Sequence, residues 1–502
     1  MGKSRFFTPF NRSLFRSTLA SAFISTAITS TTVAAEGENT LKGQKPNIII
    51  VITDDQGYAD ISSHGHPLLK TPNLDKLRSQ SMSFESFHAS PTCAPTRSAI
   101  MSGRDPFYVG VTHTVLERER MALNVPTLAE MLRDNGYSTG IFGKWHLGDE
   151  AAYRPDKRGF EEVFMHGAGG IGQSYGGTCG DAPGNKYFNP FILHNNKFVK
   201  TEGFCTDIFF SQAITWMEKK KEQKKPFFTY ISTNAPHGPF ISPEKYKAPF
   251  AKAGYNGRQQ GFYGMIANID ERMGTLMAKL NEWDIADNTI LIFMSDNGPT
   301  GAGNTWNAGM KGKKGSVDEG GTRVPFFIRW HKKISPATHC KKLVRHYDIL
   351  PTVAELIGTT PKEKDQLAGR SFLPLLENPT APWADRYTII HRGRWGRLQK
   401  PEKNKNYAIR TERWRLVEGT RLYDIQKDPL QKKNVIKQHP QVIKDMHTYY
   451  DTWWKNALPK MVNENAPLEG HNTFHLMYWK QYDIPVPPVN PNKPFSKKVK
   501  KK

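Results

Sequence analysis

Four short apolar runs, each ending abruptly in polar residues, limit this chain more than any other feature. Asn47-Ile-Ile-Ile-Val-Ile52 is an unbroken, largely β-branched run that closes on Thr53-Asp54-Asp55. Thr289-Ile-Leu-Ile-Phe-Met294 repeats the design and closes on Ser295-Asp296-Asn297. Phe227-Phe-Thr-Tyr-Ile231 leads to Pro236-His237, and Tyr137-Ser-Thr-Gly-Ile-Phe142 leads to Lys144-Trp145-His146. A continuous run of this kind marks a strand buried on both faces, because a strand with one wet face would alternate. Helical patterns separate the runs. One spans Pro126 to Asn135 with Gly136 after its end, one is capped by Thr206 and passes through Ile208, Ile214 and Trp216, and a longer one covers Gln260 to Trp283. Strands alternating with helices predict an α/β fold with a mostly parallel central sheet and helices on both faces. Ligands of such sheets sit beyond the carboxyl ends of the strands, so the four polar clusters are expected to share one crevice.

The texture changes after about Ala381. Tyr387-Thr-Ile-Ile-His391 and the stretch Tyr407 to Val417 alternate, Gly419 and Thr420 turn the chain toward Leu422-Tyr423-Asp424, and a helix follows from about Pro440 to Trp454. This predicts a smaller C-terminal α+β subdomain with an antiparallel sheet over 381–482, after a larger domain over 36–380. The ends read differently. Lys3, Arg5, Arg12 and Arg16 precede a mildly apolar stretch, Thr18 to Ala34, with small residues before Glu36. That is the pattern of a signal peptide over 1–35, and it places the mature protein outside the cytoplasm, secreted or periplasmic. No later segment reaches the roughly 18 consecutive apolar residues of a membrane span. Residues 483–502 form a Pro- and Lys-rich tail, with six lysines in the last ten positions, and read as disordered.

Charge narrows the partners. Lys and Arg number 70 against 47 Asp and Glu, for a net +23, which favours polyanions such as nucleic acid, an anionic membrane or a sulfated polymer. No nucleic-acid recognition motif accompanies the charge, so no nucleic-acid partner is expected. The 502 residues bury enough surface to stand without disulfides. Of the four cysteines, Cys93, Cys179, Cys205 and Cys340, a Cys179–Cys205 bridge and a buried reduced pair both remain open.

Asp54, Asp55, Asp296 and Asn297 offer only oxygen ligands, which suits a hard divalent cation, Ca²⁺ ahead of Mg²⁺, and disfavours zinc. Carboxylates converging there would repel without a cation. Cys93 lies in Thr92-Cys93-Ala94-Pro95-Thr96-Arg97. Pro95 is placed to open a helix, which puts Cys93 at a positive helix end that favours an anionic nucleophile or a bound oxyanion.

Cys-x-Pro-x-Arg, followed by Ser102-Gly103-Arg104, resembles the maturation signature of the type I sulfatases of the alkaline phosphatase superfamily. The resemblance runs from Lys45 to about Trp454, with the motifs in family order. It implies that 36–380 is the catalytic domain. It also implies that a maturing enzyme converts Cys93 to formylglycine (3-oxoalanine), an aldehyde that hydrates to a gem-diol. One diol oxygen attacks sulfur; the other, on deprotonation, expels sulfate and restores the aldehyde. Carried over, Cys93 is nucleophile and metal ligand beside Asp54, Asp55, Asp296 and Asn297, and Arg97 orients the diol. In Gly143-Lys144-Trp-His146-Leu-Gly148, Lys144 contacts sulfate and His146 assists deprotonation. His237, in Ala235-Pro-His-Gly-Pro239, faces the leaving group, and Lys314 is the second sulfate-binding lysine, with Lys311 and Lys313 close by in sequence. The expected substrate is a sulfated carbohydrate, with Arg104, His113, His391, Arg394 and Trp395 as candidate sugar contacts and Trp395 as a stacking face. A phosphodiesterase or phosphonate monoester hydrolase of the same superfamily, and a non-catalytic binder of anionic polysaccharide, are the alternatives.

Overall fold

The four apolar runs form four consecutive strands of a single sheet. The computed structural model describes residues 41–175, 179–300, 302–303, 305–396, 399–467 and 470–488; the expected signal peptide over 1–35 and the tail beyond 488 fall outside the described residues. Among the described residues the main sheet has ten strands. In spatial order they are Thr338–Cys340, Met82–Phe84, Phe326–Trp330, Thr289–Ser295, Asn47–Thr53, Phe227–Ser232, Ser138–Lys144, Glu162–His166, Phe191–His194 and Lys197–Lys200. The five from Thr289–Ser295 to Glu162–His166 run parallel, and antiparallel strands extend the sheet on both sides.

All seven residues of Asn47–Thr53 are buried, and alternate residues serve different layers. Ile48, Ile50 and Ile52 pack with Ile100 and Met101 of helix Cys93–Ser102, Leu128 and Leu132 of helix Leu128–Asp134, and Val353 of helix Ile349–Leu356. Ile49 and Val51 pack on the other face with Leu74 and Leu77 of helix Pro72–Ser79, Phe209 and Trp216 of helix Cys205–Glu222, and Met265 and Ile269 of helix Gly257–Glu282. A two-residue period inside an unbroken apolar run is what a sheet covered twice requires.

Register brings the polar ends level. Thr53 pairs with Ser295, Ile52 and Gly143 both pair with Ser232, and Lys144 pairs with His166. The residues that follow, Asp54, Asp296 and Lys144 itself, therefore emerge at one edge of the sheet.

The C-terminal sheet is a meander of Thr388–His391, Tyr407–Arg410, Trp414–Val417 and Arg421–Asp424, all antiparallel. Helix Pro440–Ala457 covers one face through Met446, Tyr450, Trp453 and Trp454. Two expectations are corrected here and nearby. The stretch Tyr407 to Val417 is a hairpin and not one strand, because Thr411 Oγ1 accepts the N–H groups of Arg413 and Trp414 and turns the chain. Thr206 does not cap its helix; the helix starts at Cys205, whose N–H goes to Tyr187 O at 2.8 Å. For the helix after Pro126, Thr127 is the cap, in a reciprocal capping box with Glu130.

Glu319, first residue of the short helix Glu319–Thr322, ties this meander to the larger domain. Its Oε1 lies 3.0 Å from Arg410 Nε and 2.8 Å from Arg415 Nη2, with His88 Nε2 3.6 Å from Oε2, and all four groups are buried.

Candidate active site

Cys93 is the first residue of helix Cys93–Ser102, directly after Thr92 in extended backbone, and is 2% exposed. Thr96 of the same turn donates to Asp296 O at 2.7 Å, which locks the helix start onto the end of strand Thr289–Ser295. Gly315 N–H donates to Pro91 O at 2.7 Å and Lys314 N–H to Pro299 O at 3.0 Å, so the loop carrying Lys314 closes over Cys93.

A buried network of opposite charges surrounds the thiol. Lys144 Nζ is 2.7 Å from Asp54 Oδ2, with both side chains fully buried. Lys314 Nζ is 2.7 Å from Asp55 Oδ1. Arg97 Nη2 donates to Asp296 Oδ2 at 2.8 Å, while Nη1 donates to Ser232 Oγ and to Lys144 O. Asn297 Nδ2 donates to Asp55 Oδ1 at 2.7 Å, and Asp55 N–H to Asp296 Oδ1 at 3.0 Å. Strand Ser138–Lys144 reaches the network only because residue 143 is glycine. Its φ is +110°, and a Cβ there would sit 1.9 Å from Ser232 O.

Burial, reinforced by Asp296 and Asp55, pushes Asp54 well above the usual carboxylate range against the pull of Lys144. Burial also raises Asp55, but Lys314 and His237 bring it down to about 2. Burial raises the Cys93 thiol, and Lys144 and Lys314 more than offset it. The residues present fit a hard divalent cation. Asp54 Oδ1 and Asn297 Oδ1 are buried without a hydrogen-bond partner, and ligand atoms of Asp54, Cys93 and Asp296 all lie within 4.8 Å of one another.

Two histidines flank the network. His237 hydrogen-bonds Gly238 O through Nδ1 at 2.7 Å and presents Nε2 3.8 Å from Asp55 Oδ2; burial and Lys314 hold it down at about 4. His146 donates from Nε2 to Thr114 O at 2.8 Å. Burial and Lys144 hold it well below its ordinary value. Lys311 does not join the network, because its Nζ pairs with Tyr423 Oη at 2.9 Å.

The candidate sugar contacts divide. Arg394 Nη2 donates to Thr114 Oγ1 at 2.6 Å, on the residue whose carbonyl orients His146. His113 Nδ1 accepts the Thr114 N–H at 2.7 Å; burial and Arg394 lower it to about 2. The other three lie elsewhere. Trp395 is 3% exposed, packed edge-on to Phe107 with Arg118 over its face at 4.8 Å, so no face is left for stacking. His391 is buried between Phe107 and Trp454. Arg104 pairs with Glu363 and Gln366 beyond the far end of helix Cys93–Ser102. Cys179 and Cys205 are separate buried thiols and not a bridge; Cys179 Sγ lies 3.5 Å from His146 Nε2.

Ser232 and Thr114 are members that sequence reasoning passed over. Ser232 carried a signal, as the polar residue that ends an apolar run. Thr114 carried none, since it contributes a carbonyl oxygen.

Comparison with known proteins agrees with this geometry. The sulfatase family model matches residues 46–359, and the model for the C-terminal region of N-sulphoglucosamine sulphohydrolase matches 312–453. Mouse arylsulfatase J is 29% identical over 393 residues, 75% of this chain and 64% of that protein, so the chain spans less than two thirds of that relative. An N-acetylgalactosamine-6-O-sulfatase of Bacteroides thetaiotaomicron is 27% identical over 492 residues, 82% of this chain and 93% of that one. The crystal structure of Ps i-CgsB, solved also in complex with k-i-k-neocarrahexaose, superposes with a TM-score of 0.73 at 29% identity, covering 88% of this chain and 98% of its own.

Proposed function

The chain belongs to the sulfatase family, and from that premise we propose that it hydrolyses sulfate esters on a sulfated carbohydrate, with Cys93 converted to formylglycine as the nucleophile. One observation carries the proposal. Cys93 starts a helix inside a buried set of three carboxylates, two lysines and an arginine, all at the carboxyl edge of a parallel sheet.

Each residue has work there. Lys144 and Lys314 supply positive charge on two sides of Cys93, which suits the non-bridging oxygens of a sulfate ester. Arg97, fixed by Asp296 and Ser232, is the arginine assigned to orient the hydrated aldehyde at position 93. His237 donates its Nδ1–H to Gly238 O, so Nε2 is the nitrogen left for the departing oxygen, and it donates there only in the imidazolium form. His146 has Nε2 tied to Thr114 O and serves through Nδ1, which is buried and otherwise unpartnered. Formylglycine supplies a hydrated aldehyde that can release sulfate and regenerate, which a thiol cannot. Ca²⁺ held by Asp54, Asp55, Asp296 and Asn297 supplies Lewis-acid charge and relieves the repulsion among the carboxylates. Arg394 and His113 are the sugar contacts retained from the sequence.

Sulfate release, read by ion chromatography across sulfated glycans and aryl sulfates, tests the reading on protein co-expressed with a maturing enzyme. Release from at least one glycan, abolished in Cys93→Ala, is the expected result. Phosphate or phosphonate release without sulfate would transfer the protein to the alternative hydrolase class. A second outcome concerns the cation. Ca²⁺ at about a hundred times its Kd is expected to stabilise the fold by about 2.7 kcal/mol over chelator-treated protein. In a thermal melt that appears as a higher Tm, lost in Asp296→Asn. A melt indifferent to Ca²⁺ removes it from the site.

The protein is also proposed to be exported, on the strength of its leader sequence. None of the described helices is long and apolar enough to cross a membrane.

A further inference from the structure

An open groove of 560 Å³ lies beside His237, lined also by Gln173, Ile241, Arg258 and Thr300. Among the described residues no Asp or Glu lines it. Arg258 enters from the first turn of helix Gly257–Glu282, with its guanidinium over the Phe240 ring, 4.8 Å from the centroid. It has no carboxylate partner among the described residues. The first N–H groups of the helix are already taken, because Asn256 Oδ1 accepts from Arg258 N and Gln259 N at 3.1 Å. The positive group on offer is therefore the guanidinium itself. Held by an aromatic face instead of a carboxylate, it keeps its N–H fork free for a planar or tetrahedral anion. The rest of the groove suits a sugar ring. Gln173 is half-buried and Ile241 is 40% exposed, so neutral polar and apolar surface stand beside the cation.

We infer that this groove receives the glycan on the leaving-group side of the scissile sulfate, and that Arg258 binds a second anionic substituent there, a sulfate ester or a carboxylate. The inference rests on the sulfatase reading, which makes the neighbourhood of His237 the leaving-group side. Lys144 and Lys314 are engaged around Cys93, so a second charge on the substrate needs a cation of its own. Arg258 gives the enzyme a preference for glycans bearing more than one negative group.

Steady-state rates on a disulfated oligosaccharide, a monosulfated uronate-bearing oligosaccharide and p-nitrophenyl sulfate test this with wild type, Arg258→Ala and Arg258→Lys. In Arg258→Ala, kcat/KM is expected to fall about tenfold more on the doubly charged oligosaccharides than on p-nitrophenyl sulfate, chiefly through KM. Arg258→Lys is expected to recover part of the loss. The oligosaccharide with the larger effect names the substituent. An equal change on all three substrates, or none on the oligosaccharides, overturns the inference. Calorimetric titration of the same oligosaccharides into Cys93→Ala protein, with and without Arg258→Ala, keeps the two readings apart. Arg258-dependent binding without any sulfate release by matured wild type sinks the sulfatase reading and retains the groove. Binding indifferent to Arg258 removes the groove assignment whatever the turnover.

Discussion

Lys144→Ala is expected to lower kcat for sulfate release by about a hundredfold to a thousandfold, the range seen when one preorganised charge-stabilising donor is removed. Lys144 Nζ sits 2.7 Å from Asp54 Oδ2 in a site that excludes water from both groups, where a fixed charge acts with little screening. No neighbour can take its place. It ends strand Ser138–Lys144, and Gly143 lets that strand approach Ser232 more closely than any side chain allows. Removing the ammonium also leaves Asp54 among Asp55 and Asp296 with one positive neighbour fewer. Lys144→Met keeps the packing of the stem and separates loss of charge from loss of volume. The measurement is initial sulfate release per mole of matured protein, with aldehyde content at Cys93 checked by peptide mass. A loss of less than about tenfold in both variants would take Lys144 out of charge stabilisation.

Glu319→Ala is expected to destabilise the fold by about 3–5 kcal/mol, the cost of leaving buried charges without their partner. Glu319 is the carboxylate to which both Arg410 and Arg415 turn, and neither arginine is more than 3% exposed. Burial raises the Glu319 carboxyl, but Arg415 and Arg410 pull it far below its ordinary 4.5. Such a depressed group contributes its stability in full above the unfolded value and loses it as pH falls through and below that value. The gap between wild type and Glu319→Gln in a urea melt should therefore be widest near neutral pH and shrink progressively below about pH 4.5. A gap independent of pH would mean that packing, and not the ion pairs, carries the difference.

What the sequence disclosed followed from local physics. The strands of the sheet centre were legible because a twice-covered strand needs an unbroken apolar run, and the polar residues closing each run fell at one edge because parallel strands share a direction. Asp54, Asp296, Lys144 and His237 came out of that pattern, while the roles assigned to them came from family resemblance. The misplaced residues depended on contacts that no local pattern carries. His391 and Trp395 stood in a basic, aromatic segment that looked like exposed sugar-binding surface. Helix Pro440–Ala457, itself legible, lays Trp453 and Trp454 against that segment, and its docking face is set by long-range packing. Arg104 follows Cys93 closely in sequence yet lies a whole helix away, at the opposite end of Cys93–Ser102. Thr411 split an apparent strand through two side-chain hydrogen bonds. Ser232 lay one residue past the run taken to end at Ile231.

The burial of Cys93 turns its proposed conversion to formylglycine into a matter of timing. At 2% exposure, inside the first turn of a helix pinned to Asp296 by Thr96, the thiol is out of reach of another enzyme once the sheet has closed. Modification and folding then compete for the same nascent chain, and the window shuts when helix Cys93–Ser102 docks. Faster folding would lower the converted fraction without touching a single active-site group, and the yield of competent molecules becomes a ratio of two rates.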